Sequence, residues 1–108
     1  MNLEQLQAHL ATPMAQHSPG WPEDLKMKAQ APRLDCVDGS NMSVQASRHH
    51  YCSPKSNAGP YTLVEVGYPS EPCPRLLEYG DDGVDSVVYA YVPVEVVLDV
   101  IASHGGLK

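Results

Sequence analysis

Ten prolines are spread over 108 residues, and they limit the length of every regular segment between them. A proline cannot donate to a sheet ladder and breaks a helix beyond its first turn. Pro13, Pro19, Gly20, Pro22 and Pro32 crowd residues 12 to 32, which therefore read as an irregular crossing with at most a short extended piece at 25 to 29. Trp21, between Gly20 and Pro22, is expected to anchor this crossing on the body. Pro69, Pro72 and Pro74 forbid regular pairing after Tyr68. Regular structure is left to short segments between these prolines.

Leu3, Leu6 and Leu10 recur at helical spacing behind Asn2, so residues 3 to 11 predict a short capped helix that must dock its leucine stripe. "RLDCVDGSNMSVQAS" (33 to 47) alternates on both sides of a "DGSN" turn and predicts a hairpin, with Gly39 supplying the positive φ of a tight return. "YTLVEVGY" (61 to 68) alternates again, placing Thr62, Val64, Val66 and Tyr68 on one face. Arg75 to Tyr79 predict one helical turn, and the run 84 to 92 a strand apolar on both faces, with Tyr89 and Tyr91 on the same side. Pro93 suits the first position of a final helix that ends at Gly105 and Gly106. The pattern predicts a single α+β domain over 1–108. Its antiparallel sheet has three to four strands, with an N-terminal and a C-terminal helix packed on one face.

The net charge of −6 is unevenly placed: residues 1 to 55 balance five acids with five bases, whereas 56 to 108 set eight acids against Arg75 and Lys108. An acidic chain is a poor ligand for phosphate backbones, so direct nucleic-acid binding is not expected. The same charge suits a basic surface on another protein. Cys36, Cys52 and Cys73 are odd in number and unpaired in spacing, and the N-terminal residues lack the pattern of a signal peptide. Reduced thiols, a cytoplasmic location and no membrane span are the expectation.

"RHHYCSPKSNAGPYT" (48 to 62) holds the densest chemistry. Zinc on the three cysteines with His49 or His50 lacks the close ligand pairs that structural sites use. A Cys52 nucleophile with His50 as base, and Glu65 from the next strand, lacks an oxyanion turn. No metal, no cofactor and no enzymatic activity are expected. Two binding readings stay open. In the first, Glu71, Glu78, Asp81, Asp82 and Asp85 with Tyr79, Tyr89 and Tyr91 form an acidic, aromatic protein-binding surface. In the second, Arg48, His49, His50, Tyr51 and Lys55 form a second contact, or a loop that holds a small anion such as a nucleotide signal. An odd thiol and a two-faced apolar strand leave room for a homodimer.

"MSVQASRHHYCSPKSNAGPYTLVEVGYPSE" (42 to 71) and "VYAYVPVEVVLDVIASHGG" (88 to 106) resemble a group of small proteins encoded by bacterial phages and prophages, which carry SVQAS, HYCSP, GPY and VEVGYPS in this order. The resemblance supplies no catalytic residues to carry over. It implies a setting in the host bacterial cytoplasm, among accessory proteins that block host defence. The function expected by analogy is stoichiometric occlusion of a defence protein or ribonucleoprotein complex, in the manner of an anti-CRISPR protein.

Overall fold

The computed structural model describes residues 1–80 and 82–108, with the side chains of Asp24 and Val84 left aside. Two α-helices, α1 (Leu3–Leu10) and α2 (Val94–Ser103), flank four strands, β1 (Leu34–Asp35), β2 (Asn41–Gln45), β3 (Leu63–Gly67) and β4 (Val88–Pro93). The strands form one antiparallel sheet in the order β1-β2-β3-β4, so each pairs with its sequence neighbour. The α+β architecture expected from the periodicity is the one observed. No helix among the described residues is long and apolar enough to cross a membrane.

Each helix exists because of what it buries. An eight-residue helix is marginal in water, yet α1 has a reciprocal cap: the Gln5 N–H donates to Asn2 Oδ1 at 2.8 Å and the Asn2 N–H to Gln5 Oε1 at 2.9 Å. Leu6 and Leu10 enter the core, and Leu3 stays 48 % exposed. Burial of a leucine contributes about 1.5–3 kcal/mol, which decides the balance for so short a helix. On α2, Val94, Val96, Val97, Val100 and Ile101 are buried against Val44, Val64, Val66 and Val92 of the sheet, in one cluster with Leu6 and Leu10.

The irregular crossing is tied down by polar side chains. The Gln45 amide mimics a strand partner, accepting from the Ala31 N–H and donating to the Ala31 carbonyl, both at 2.8 Å. Gln7 does the same for Tyr61, at 2.9 and 2.7 Å. Lys28 is buried and donates to the Leu10 and Ala46 carbonyls and to the Tyr61 hydroxyl. Trp21 differs from expectation: it stacks on His17 at 4.5 Å and stays half exposed instead of anchoring in the core.

β4 also departs from the sequence reading. Residues 84 and 85 belong to a 3-10 turn (Gly83–Asp85), and the strand begins at Val88. Val64 pairs with Val92 but Val66 pairs with Tyr89, so Glu65 opposes both Ala90 and Tyr91. This is a β-bulge, and Tyr91 takes the left-handed conformation, φ 53°. The extra residue reverses the alternation: Tyr89 is 4 % exposed and Tyr91 is 44 % exposed. The expectation that both tyrosines share an exposed face is therefore corrected, and Tyr89 belongs to the core.

Both sheet edges are covered. Outside β1, Cys36 bridges Leu107, the Val37 N–H donates to the Gly106 carbonyl, and the Lys108 N–H donates to the Asp35 carbonyl. Outside β4, Gly80 bridges Tyr89 and the Tyr91 N–H donates to the Tyr51 carbonyl.

Candidate functional site

A groove of about 360 Å³ lies between the proline-rich segment after β3 and the start of β4. Tyr68, Leu77 and Val87 line it and are large apolar side chains left exposed, Tyr68 at 60 %. Pro69, Pro72 and Pro74 stiffen one wall. Glu71 and Asp85 add carboxylates, and Tyr89 reaches the groove from the core. Two backbone features shape it. The Tyr68 N–H donates to the Val87 carbonyl at 2.6 Å, joining the two walls, and Arg33 donates to the Tyr68 carbonyl. Held at both ends, Tyr68 sits at φ 50° and turns outward instead of continuing the inward face of Val64 and Val66.

Arg33, on the Tyr68 carbonyl, is the one guanidinium that the hydrogen bonds of the described residues bring to the groove wall. Arg75, one of two bases in the second half of the chain, is paired with Asp99 of α2 at 2.9 Å. Among the described residues no Lys or Arg forms an ion pair with Glu71 or Asp85.

The structure gathers part of the expected acidic surface and disperses the rest. Glu71, Asp85 and Tyr89 line the groove. Asp82 is exposed at the start of the 3-10 turn that carries Asp85. Glu78 is exposed and Tyr79 half-buried against the core, on the turn Pro74–Tyr79. Asp81 lies outside the described residues. Tyr91 leaves this group altogether: its ring packs on Tyr51 at 6.1 Å between centroids. Sequence reasoning missed Tyr68, Leu77 and Val87. Alternation places Tyr68 on one face with Thr62, Val64 and Val66, and nothing local announces that long-range bonds turn it outward.

The 48 to 60 loop reaches across the sheet. The Tyr51 N–H donates to Glu65 Oε2 at 2.9 Å on β3, and the Tyr51 carbonyl accepts from Tyr91 on β4. Lys55 Nζ stands 5.6 Å from the centre of the Tyr51 ring, a cation–π arrangement. Arg48, Lys55, Ser56 and Asn57 border a depression of about 320 Å³. His49 is exposed, but His50 turns inward with Nδ1 2.7 Å from Ser47 Oγ, and burial lowers its pKa.

Among the described residues the Cys52 thiol forms no hydrogen bond with His50. Cys52 donates to the Ser47 and Pro54 carbonyls, burial raises its pKa, and the His50 Nδ1 is engaged by Ser47. Glu65, proposed to orient His50, accepts from the Tyr51 N–H instead. Cys36 and Cys73, both free and buried, line a small cavity with Glu71 and His104. Among the described residues the metal-donor group that does converge is Asp38, Glu71 and His104, with donor atoms within 4.8 Å of one another. These three are far apart in sequence and fit no spacing motif. Comparison with protein-family models, curated proteins and solved structures finds no match to this chain.

Proposed function

We propose that the chain is a protein-binding module whose groove between residues 68–74 and 85–89 receives a basic segment of a partner, and that it works by stoichiometric occlusion. The observation that carries this reading is the union of exposed apolar walls with carboxylates that form no Lys or Arg ion pair among the described residues. Apolar contact provides affinity and negative charge selects a Lys- or Arg-bearing partner and speeds encounter. The resemblance to phage-encoded proteins supplies the biological setting: a counter-defence inhibitor, anti-CRISPR in type, with a host defence protein or ribonucleoprotein complex as its partner and no chemistry of its own.

The test has two readouts. A CRISPR-immune bacterial host expressing the protein is expected to admit targeted phage, and the purified protein is expected to capture the effector complex at low salt and release it as salt rises. Val87→Asp and Asp85→Lys should each abolish both effects without altering the melting temperature. Unchanged phage plating and capture in these variants would sink the groove assignment.

A second reading rests on the Arg48–Lys55 depression beside Tyr51 and Tyr91: a small anionic ligand with a stackable ring, such as a nucleotide signal. A nucleotide that raises the melting temperature of the wild type but not of Arg48→Ala favours it.

A further inference from the structure

We propose that Asp38, Glu71 and His104 form a binding site for a divalent transition-metal ion, zinc before others, that clasps the β1–β2 turn and the segment after β3 to the C-terminal end of α2. The site is independent of the groove reading, although Glu71 borders both.

Three segments are fixed relative to one another before any ion arrives. Asp38 Oδ1 is held by the Ser40 N–H at 2.9 Å and the Ser40 hydroxyl at 2.6 Å, which leaves Oδ2 toward His104 Nδ1 at 2.6 Å. His104 caps α2: its N–H donates to the Ile101 carbonyl, and its own carbonyl accepts from the Asp38 N–H. The backbone beside Glu71 is pinned to β2, with the Ser70 N–H donating to the Asn41 carbonyl and the Asn41 N–H to Ser70 Oγ, both at 2.8 Å. Outer bonds of this kind orient metal ligands and keep them from collapsing elsewhere.

The donor chemistry selects the ion. Zinc binds imidazole nitrogen and carboxylate oxygen at about 2.0–2.2 Å, so donors in its tetrahedral shell lie about 3.4 Å apart. Separations that begin at 2.6 Å and stay within 4.8 Å reach that spacing by small side-chain rotations. Calcium and magnesium prefer six or more oxygens, and an imidazole among the three converging donors favours the softer ion. Charge points the same way. Two carboxylates converge here, and among the described residues neither has a Lys or Arg ion pair. Their mutual repulsion becomes attraction once a dication stands between them.

The experiment is calorimetric titration of the untagged full chain with zinc chloride, with magnesium and calcium chlorides alongside, and melting curves of the same samples. One zinc per chain, a raised melting temperature and no response to magnesium or calcium are expected. Glu71→Gln changes an exposed loop residue and should keep the fold while weakening zinc by at least about tenfold, as should His104→Gln. His17→Gln, outside the site, should bind as the wild type does. The proposal is overturned by the absence of zinc binding to the wild type. Affinity undiminished in Glu71→Gln and His104→Gln would overturn it equally, since the ion would then sit elsewhere.

Discussion

Among the described residues, two tyrosines, Tyr68 and Tyr91, are the non-glycine residues with positive φ, at 50° and 53°, and both are exposed. A left-handed conformation costs an ordinary L-residue about 1–2 kcal/mol, and asparagine tolerates it better. Tyr68→Asn is therefore expected to stabilise the fold by about 0.5–1 kcal/mol in urea denaturation, while partner capture weakens because the largest exposed groove side chain is gone. Stability and capture falling together would contradict the role given to this residue. Histidines set the response to acid. Burial lowers the pKa of both His9 and His50 from 6.5, and His9 Nε2 is buried without a hydrogen-bond partner. Both take up a proton less readily in the fold than in the unfolded chain. Their contribution is thus intact above about pH 6.5 and is lost as pH falls through that value. Asp38 acts lower on the scale. Its bonds to the Ser40 hydroxyl and N–H, and then to His104, bring its pKa from 3.8 to about 2, so its contribution is present above 3.8 and lost only on approach to 2. Melting temperature should already drop between pH 7 and pH 5, and His9→Gln should flatten that drop.

At the scale of elements, the turn between Pro74–Tyr79 and β4 depends on one missing methyl group. A Cβ on Gly80 would lie 2.3 Å from Ser86 Oγ and 2.5 Å from Ser86 Cβ, and Ser86 Oγ also accepts the Asp82 N–H at 2.7 Å. Gly80→Ala is expected to cost about 1–3 kcal/mol and to weaken groove binding by displacing the Asp85–Val87 wall. The double variant Gly80→Ala/Ser86→Gly should recover part of the stability, measured by denaturation. Much of this level was legible in the sequence. The "DGSN" hairpin, β3, α1 with its Asn2 cap and α2 follow from alternation and helical spacing, which are local. The groove was legible only in part. Glu71 and Asp85 stood out by composition, but Tyr68 and Val87 meet through a backbone bond between segments far apart in the chain. The bulge that buries Tyr89 and exposes Tyr91 is set by pairing with Glu65 on a neighbouring strand. The convergence of Asp38, Glu71 and His104 likewise requires the sheet, the helix end and the proline-rich segment to be in place together.

On the scale of the whole molecule, the charge excess of the second half of the chain is gathered partly at the groove, because Arg75 is drawn away to Asp99. The last three residues have a separate task. Gly106, Leu107 and Lys108 seal the outer side of β1, and left-handed Gly105 and Gly106, φ 88° and 89°, turn the chain back toward it. Removing residues 106–108 bares the backbone groups of 35 to 37, and open strand edges invite association. The truncated chain is expected to self-associate in size-exclusion chromatography at concentrations where the full chain elutes near its 11.7 kDa mass; identical elution of the two would contradict this. With the outer sides of β1 and β4 both engaged by the chain itself among the described residues, a visitor finds little main chain there to zip onto as a further ribbon. Whatever recognises this molecule must read its side chains one by one, so replacing surface residues singly should be enough to trace the outline of the footprint.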